Sequence, residues 1–395
     1  MDEADEAWRY DLMRLLLLPL LLLAACSRET SDDAEPAAPA RTETAEGAAT
    51  APAGDRAIAL TGGETRSFRQ WEAVCDNTRS CTLFGFPPEA EFGMAGVEGW
   101  GFVRIERAAG PGTEPAVTLA AGEAPGGDAP SLPMTVTVDG GAPLRLQAAG
   151  GDGPYHAARA SGAEARGLVQ ALKNGRTLTL ALQGSPPAAL SLEGAAAALL
   201  WVDEVQGRVG AKDALMRPGD RGSVPAAPAP PVVRAAKVDG GEVAATPALL
   251  RTPEVAQCLS DQNEGMGSAS NAEVLGVRLT ASLVLWQVPC GAGAYNQTTA
   301  FYYGDAAGGG LRPVPLSEPA GEGDGPAHHA VNAGWDPETG RLSAFSKGRG
   351  IGDCGSEDEW VWDGRAFVHT AQRFMGRCEG VWLDDWAVLR RSEVR

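Results

Sequence analysis

Six cysteines constrain the folding of this 395-residue chain more than any other feature of its sequence. They form three neighbouring pairs along the chain: Cys75 and Cys81, Cys258 and Cys290, and Cys354 and Cys378. An even number of cysteines in an exported protein predicts a disulfide framework, and six cysteines allow fifteen connectivities. The arrangement along the chain favours a bond within each pair. Loop-closure entropy then predicts stabilisation of roughly 2, 4 and 3.5 kcal/mol, in chain order.

The seventh cysteine follows a segment that predicts export. Residues 13–27 read MRLLLLPLLLLAACS, which combines a positive charge, an apolar run and a Leu-Ala-Ala-Cys lipobox. This segment resembles a bacterial lipoprotein signal peptide. The apolar run is too short for a transmembrane helix, which needs about 20 residues. We therefore predict that translation starts at Met13, that residues 1–25 are removed, and that Cys26 carries the lipid anchor.

The charge of the chain restricts its partners. The formal net charge is −18, and removal of residues 1–25 takes away five acidic and two basic side chains, leaving −15. Binding to nucleic acid or to anionic headgroups needs a basic face, so neither is predicted. We expect contact with the membrane through the N-terminal lipid, and a protein or cell-wall partner. A serine after Cys26 implies, by resemblance to other lipoproteins, a periplasmic protein anchored in the outer membrane.

Composition divides the remainder of the chain. Residues 26–58 are rich in Ala, Pro, Glu and Thr, which predicts a disordered tether spanning on the order of 30 Å. Residues 218–244 have a similar composition and are interpreted as a linker. We therefore expect a first β-rich domain with two helices at 59–217 and a second all-β domain at 245–395. The predicted fold class is mainly β with a few helices, with an α+β first domain and a β-sandwich or barrel-like second domain, both disulfide-stapled.

Local patterns predict individual elements. Alternating apolar residues on either side of an Asp-Gly-Gly turn predict a hairpin at 134–146, and an Asp-Gly turn predicts another at 360–370. Helical spacing predicts helices at 163–176 and 195–208. The apolar stretch 277–290 is interpreted as one long buried strand.

One short motif raises the possibility of catalysis. Gly352-Asp353-Cys354-Gly355 has the form of the nucleophile loop of a chymotrypsin-like protease, with Cys in place of Ser. A nucleophilic Cys354 needs a histidine within hydrogen-bond reach, and the nearest ones upstream of it in the chain are His328 and His329. An oxidising compartment would instead pair the thiol. The residues favour the disulfide and leave the nucleophile open.

Other polar clusters also suggest sites. Asp324 and the histidine pair at 328–329 could hold a metal, but adjacent histidines on a strand point to opposite faces, so we predict exposed loop histidines. His156 and His369 are predicted to be structural. The acidic cluster 357–359 and the pair Asp384-Asp385 lack the spacing of a calcium loop and are predicted to be solvated. We predict no catalytic residue, no metal site and no cofactor.

Several motifs together resemble a known family. They are WEAVCDNTRSC at 71–81, LLWVDEVQGR at 199–208, WQVPCGAGAYN at 286–296, KGRGIGDCG at 347–355 and WDGRAF at 362–367. The chain, over about residues 60–395, resembles the exported Gram-negative family catalogued as domain of unknown function 1176. Its first half more distantly resembles the small β-rich fold of the invasion-associated locus B proteins. The resemblance implies no known activity, and the cysteine-flanking motifs support the disulfide interpretation of Cys354.

These observations lead to a functional hypothesis. We predict a cell-envelope lipoprotein that is a non-enzymatic binding or structural module. Aromatic and arginine side chains often anchor interfaces, so the candidate binding surface comprises Tyr295, Tyr302, Tyr303 and Arg349. One alternative is a cell-wall or peptide hydrolase that uses carboxylates or Cys354. Another, suggested by the acidic charge, is an inhibitor of a cationic hydrolase such as lysozyme.

Overall fold

The computed structural model describes most of the chain outside its N-terminal region. The described residues are 62–87, 99–124, 129–266, 273–316 and 327–395, without the side chains of 264–266. The predicted leader, the tether up to residue 58 and Cys26 lie outside them. The described residues are mainly β with three α-helices, as the sequence predicts. None of these described helices has both the length and the apolar character needed to cross a bilayer.

The N-terminal half, residues 62–217, is built on one ten-stranded antiparallel sheet. Its strands are β1 (Glu64–Phe68), β2 (Trp71–Cys75), β3 (Cys81–Gly85), β4 (Gly101–Arg107), β5 (Ala116–Ala121), β6 (Leu132–Val138), β7 (Leu144–Gly150), β8 (His156–Ala160), β9 (Thr177–Leu182) and β10 (Ala188–Ser191). They pair in the order β1-β2-β3-β4-β5-β8-β7-β6-β9-β10 and curl into a half-barrel. The predicted hairpin at 134–146 is confirmed as β6 and β7.

Two helices pack on this sheet at the predicted places. They are α1 (Gly162–Leu172) and α2 (Ala195–Val205). The apolar stripe of α1 includes Leu168 and Leu172, and α2 buries Leu199 and Trp201, all within one core together with the sheet. This burial, rather than end-capping, stabilises the helices, because neither N-cap residue makes a side-chain capping bond.

The C-terminal half, residues 242–395, contains two antiparallel sheets. The first consists of β12 (Glu242–Ala244), β13 (Leu275–Arg278), β14 (Val284–Ala292), β15 (Gln297–Gly304) and β16 (Arg312–Pro313), with β17 (His329–Val331) also on β15. The second consists of β18 (Gly334–Asp336), β19 (Arg341–Lys347), β20 (Gly355–Trp362), β21 (Phe367–Met375) and β22 (Ala387–Arg390). Leu285 and Phe301 of the first share a core with Leu342 and Trp360 of the second, so the sheets form a sandwich.

The segment predicted as a linker takes part in two sheets. Strand β11 (Val232–Val233) pairs in parallel with β23 (Glu393–Val394) near the chain end, and β12 begins the six-stranded sheet. The Ala235 N–H also donates to the Arg395 carbonyl over 2.8 Å. Residues 218–244 are therefore held by the C-terminal strands through backbone hydrogen bonds.

Two details of the C-terminal half differ from the sequence expectation. The predicted long strand at 277–290 is a hairpin of β13 and β14, because the Thr280 hydroxyl accepts the Leu283 N–H over 3.1 Å and forms a turn. The half predicted as all-β also contains helix α3 (Pro253–Met266). Its start carries a recognisable signal, with proline at the first helical position and Glu254 in the first turn.

Candidate functional site

The disulfides decide the role of Cys354. The structure joins Cys75 to Cys81, Cys258 to Cys290, and Cys354 to Cys378. These are the three neighbouring pairs that the sequence favours. Cys354 is 1% exposed, and a Cβ atom at Gly348 would lie 2.6 Å from its sulfur, so only glycine fits there without movement. Cys354 is therefore a buried structural cysteine and not a free nucleophile.

The loop before Cys354 is fixed by a buried carboxylate. Arg349 donates from Nε to Asp353 Oδ1 over 2.7 Å and from Nη2 to Oδ2 over 2.5 Å. The Gly380 N–H donates to the same Oδ2 over 2.6 Å. Asp353 is only 5% exposed, so these bonds form in a largely desolvated place. Asp353 consequently ties the glycine-rich loop to the segment that follows Cys378.

That segment packs against the N-terminal sheet along a contact that we call the seam. Trp100 donates from Nε1 to the Glu379 carbonyl over 2.8 Å. Tyr155 donates from Oη to Asp385 Oδ2 over 2.5 Å and accepts the Trp382 N–H over 3.2 Å. These bonds connect residues more than two hundred positions apart in the chain.

Apolar and charged groups extend the seam. Phe84 and Phe102 from the N-terminal sheet share a core with Met375 and Trp386 from the C-terminal half. Arg104 contacts Asp385 as well, with 3.4 Å between Nη1 and Oδ1. The acidic pair Asp384-Asp385, predicted to be solvated, therefore contains one residue that the seam uses as an acceptor.

Burial changes the ionisation of two seam groups. It raises the pKa of Tyr155, and the adjacent Asp385 raises it further, so the phenol stays protonated and donates its hydrogen bond. Burial also raises the pKa of Glu72 above 4.5, against the lowering effect of the Gly376 N–H bond and of Arg377. The seam thus holds one neutral donor and one carboxylate whose charged form is disfavoured.

A cavity of about 550 Å³ opens beside the seam, and we call it the seam cleft. Its lining residues are Gly99, Trp100, Gly122, Glu123, Ala124, Pro154, Tyr155, Gly184, Ser185, Pro186 and Gly380. The Trp100 and Tyr155 rings lie 5.3 Å apart, inclined at 37°. Gly380 has φ of +83°, and a Cβ atom there would lie 3.0 Å from the Trp100 ring. Glycine therefore lets the C-terminal segment approach the indole closely.

The predicted aromatic binding surface is divided by the fold. Tyr302 and Tyr303 are 4% and 1% exposed and lie in two different cores. Successive residues of β15 point to opposite faces, and both faces are covered. Tyr295 is 41% exposed and donates to the Gly348 carbonyl over 3.2 Å, close to Arg349. The structure brings Tyr295 and Arg349 together on the surface and places Tyr302 and Tyr303 in the interior.

The histidine pair lies beside a disulfide. His328 Nε2 is 3.1 Å from Tyr302 Oη. A ring nitrogen of His329 and the sulfurs of Cys258 and Cys290 lie within 4.8 Å of one another, a spacing that could hold a metal ion if both sulfurs were thiolates. In the disulfide they are not. Burial and then His328 lower the pKa of His329 to about 4, so its imidazole is neutral at pH 7.

The two remaining histidines, His369 and His156, are buried or partly buried. His369 Nε2 is 2.8 Å from Asp358 Oδ1, and Trp360 stacks on its ring. Asp358 is 2% exposed, so this member of the acidic cluster 357–359 is buried, contrary to the prediction of solvated charge, because His369 supplies a partner. His156 is also buried, and its ring nitrogens have no hydrogen-bond partner among the described residues.

Sequence reasoning missed the seam cleft. Neither Trp100 nor Tyr155 is among the site residues that the sequence predicts. A signal existed in part, since the glycines around Trp100 and after Cys378 indicate close backbone approach. Nothing local relates Trp100 to Gly380, because their contact depends on how the two halves pack.

Comparison with known proteins yields three findings. The family described as protein of unknown function (DUF1176) matches residues 65–392. The uncharacterized protein YpfG of Escherichia coli strain K12 is 27% identical over 316 residues, which cover 76% of this chain and 85% of that protein. The crystal structure of invasion associated protein b from Bartonella henselae matches with 20% identity and a TM-score of 0.25, covering 35% of this chain and 95% of that one. The resemblance predicted from the motifs is confirmed, and the chain belongs to the family of proteins of unknown function DUF1176.

Proposed function

We propose that this protein is a periplasmic lipoprotein of the outer membrane that binds a ligand in the seam cleft and performs no catalysis. The lipobox at Cys26 supports the anchor, and three disulfides suit an oxidising compartment. The pairing of Cys354 with Cys378 removes the thiol on which one hydrolase alternative depends. The observation that carries the binding proposal is the pair of aromatic rings in a cleft braced by the seam.

The lining of the cleft indicates the class of ligand. Trp100 and Tyr155 provide aromatic faces, and glycines leave room for a ligand to reach them. Concave sites with apolar walls and a few polar groups are typical binding sites. Ser185 and Glu123 are the polar side chains of this lining. Sugar rings present C–H groups that stack on such faces and hydroxyls that bond to such polar groups. We propose a glycan fragment of the cell wall as the ligand.

Rigidity of the site also favours binding. The Cys354–Cys378 disulfide and the bonds of Asp353 fix Gly380, and Trp100 donates to Glu379 next to it. A pre-organised site loses little conformational entropy when a ligand binds. The cleft can therefore bind a small ligand without a large rearrangement.

Calorimetric titration with the tetramer of N-acetylglucosamine tests the ligand. Ser185 lies between β9 and β10, and Ser185→Trp would fill the cleft without removing a seam hydrogen bond. We expect saturable binding by the wild type and its loss in Ser185→Trp. The matched control is Trp382→Ala, since Trp382 is 41% exposed and is not a lining residue. No binding by the wild type, or equal binding by both variants, would refute the proposal for this ligand.

The anchor is tested separately by fractionation. We expect the wild type in the outer-membrane fraction. Cys26→Ala cannot carry the lipid, so we expect it outside that fraction. An unchanged distribution in Cys26→Ala would refute lipid attachment at Cys26. It would leave the binding measurement unaffected.

A further inference from the structure

A second cavity, of about 510 Å³, lies at the other end of β4 from Trp100, and we call it the arginine cavity. Its lining residues are Arg107, Glu114, Pro115, Arg166, Gly167, Val169, Gln170, Lys212, Asp213, Ala214, Leu215 and Pro218. None of these residues lines the seam cleft. Three of its side chains are cationic and two are anionic, although the whole chain has a formal net charge of −18.

Arg107 is the most buried cation of this lining, with 2% exposure. Its Nη2 donates to the Thr113 carbonyl and to Asp213 Oδ2, each over 3.2 Å. Its Nε and Nη1 have no hydrogen-bond acceptor among the described residues. A guanidinium carries five N–H donors, and a buried charged donor without an acceptor is costly. Arg107 therefore has donor capacity that the protein leaves unused.

The neighbouring Arg208 is satisfied and shows the contrast. It is 0% exposed, and its Nε donates to Gln206 Oε1 over 2.8 Å. Its Nη2 donates to the Gly110 carbonyl over 2.5 Å, and its Nη1 pairs with Asp213. Asp213 is thus one carboxylate shared between two buried guanidiniums.

The nearby carboxylates Asp203 and Glu114 make no hydrogen bond to Nε or Nη1 of Arg107. Asp203 already accepts the N–H groups of Leu215 and Met216, over 2.9 and 2.7 Å, and burial raises its pKa. Glu114 pairs with Arg166 over 2.9 Å at an exposed position. Burial and then Arg208 lower the pKa of Arg107 to about 10, which still leaves it charged at pH 7. Asp213 therefore remains the carboxylate that Arg107 contacts, and it is shared with Arg208.

We propose that the arginine cavity binds a small oxyanion, a carboxylate or a phosphate, which accepts a hydrogen bond from one of the unused nitrogens of Arg107, Nε or Nη1. Lys212, exposed on the cavity wall, supplies a second positive charge. A hydrogen bond from a guanidinium to an oxyanion is charge-assisted at both ends, which suits a buried cation with unused donors. Both nitrogens are closed off from solvent, so the anion reaches them only when a side chain of the wall moves aside.

The test is calorimetric titration of the whole protein with inorganic phosphate and, separately, with acetate, at constant ionic strength set with chloride. We expect saturable binding at one site. Binding of phosphate alone would assign a phosphate site, and binding of acetate alone would assign a carboxylate site. Saturable binding of neither ion would overturn the proposal.

Two variants locate the site. Arg107→Lys keeps the charge but loses the Nε and Nη1 donors, and we expect affinity to fall about tenfold or more. Because this change is buried and could impair folding, Lys212→Gln on the surface is the second variant, with an expected loss of about two- to fivefold. Lys237→Gln, at an exposed lysine outside the cavity, is the matched control. Equal affinity in Lys212→Gln and Lys237→Gln would overturn the assignment.

Discussion

The seam cleft and the arginine cavity both adjoin β4, but they bury polar groups in opposite ways. At the seam, the Tyr155 hydroxyl and the Asp353 carboxylate have close partners. In the arginine cavity, Arg107 leaves two nitrogens without acceptors among the described residues. A satisfied polar network makes the chain rigid, whereas unused donors provide affinity for a ligand that supplies acceptors. The seam is therefore a rigid region whose polar groups are paired, whereas the arginine cavity has buried donors that a ligand could use.

Loss of the Cys354–Cys378 disulfide beside the seam should reduce stability the most. Replacing both Cys354 and Cys378 by alanine should lower the free energy of unfolding by about 3.5 kcal/mol, because the unfolded chain regains the entropy of the closed loop. Urea denaturation measures this. The matched control replaces Cys75 and Cys81 by alanine, with an expected loss of about 2 kcal/mol for the shorter loop. The reverse ranking would contradict the view that the seam depends on its disulfide.

Loss of the Tyr155 hydroxyl should have the next largest effect on the free energy of unfolding. Tyr155→Phe removes the donor to Asp385, and a buried hydrogen bond to a charged group stabilises by about 1.5–3 kcal/mol. The control is Tyr295→Phe, since Tyr295 is exposed and donates to a neutral carbonyl, with an expected loss of about 0.5–1 kcal/mol. Urea denaturation of both variants decides, and equal losses would show that Asp385 adds nothing at the seam.

A smaller effect should appear as a pH dependence at Glu72. Its pKa is raised in the folded state, so the folded protein binds this proton more tightly than the unfolded chain. Stability from this group is present at pH below 4.5 and is lost as pH rises through the folded-state pKa. Glu72→Gln removes the titration and can still accept the Gly376 N–H. We expect the free energy of unfolding of Glu72→Gln, relative to the wild type, to increase from pH 4 to pH 7.5.

A relative free energy of unfolding of Glu72→Gln that decreases from pH 4 to pH 7.5 would mean that the folded-state pKa of Glu72 is lowered. It would show that the Gly376 N–H bond and the charge of Arg377 outweigh burial, since both lower the pKa. Measurement of the wild type and Glu72→Gln at the same pH values cancels the titration of the other groups to first order.

The smallest stability effect should occur in the arginine cavity. Arg166 and Glu114 form an ion pair whose side chains are 53% and 52% exposed, so Arg166→Gln should change the free energy of unfolding by no more than about 0.5 kcal/mol. The same variant should weaken anion binding about two- to fivefold, since it removes a cation of the cavity. Denaturation and calorimetry on one sample test both. A large loss of stability would make Arg166 part of the structural framework.

Much of the local structure was predictable because short-range patterns decide it. Helices α1 and α2 follow from apolar spacing, and the hairpins around Asp139 and Asp363 follow from their turns. The turn at Thr280 was not predicted, because the apolar residues on both sides of it suggested one continuous strand. The helix that begins at Pro253 was not predicted either, although proline at its first position and Glu254 are local signals for a helix start. The prediction placed Tyr302 and Tyr303 on one binding surface, although neighbouring residues of a strand point to opposite faces of the sheet.

The mainly β fold class, the positions of two helices and the three cysteine pairs could be predicted before folding was known, because each depends on residues close together in the chain. The contacts of Trp100 with Glu379 and of Tyr155 with Asp385 depend instead on how the two halves of the chain pack. Periodicity shows that a strand has an apolar face, but it does not say which other face covers it. The seam cleft arises from such a choice of packing partners, so it is visible only in the folded molecule.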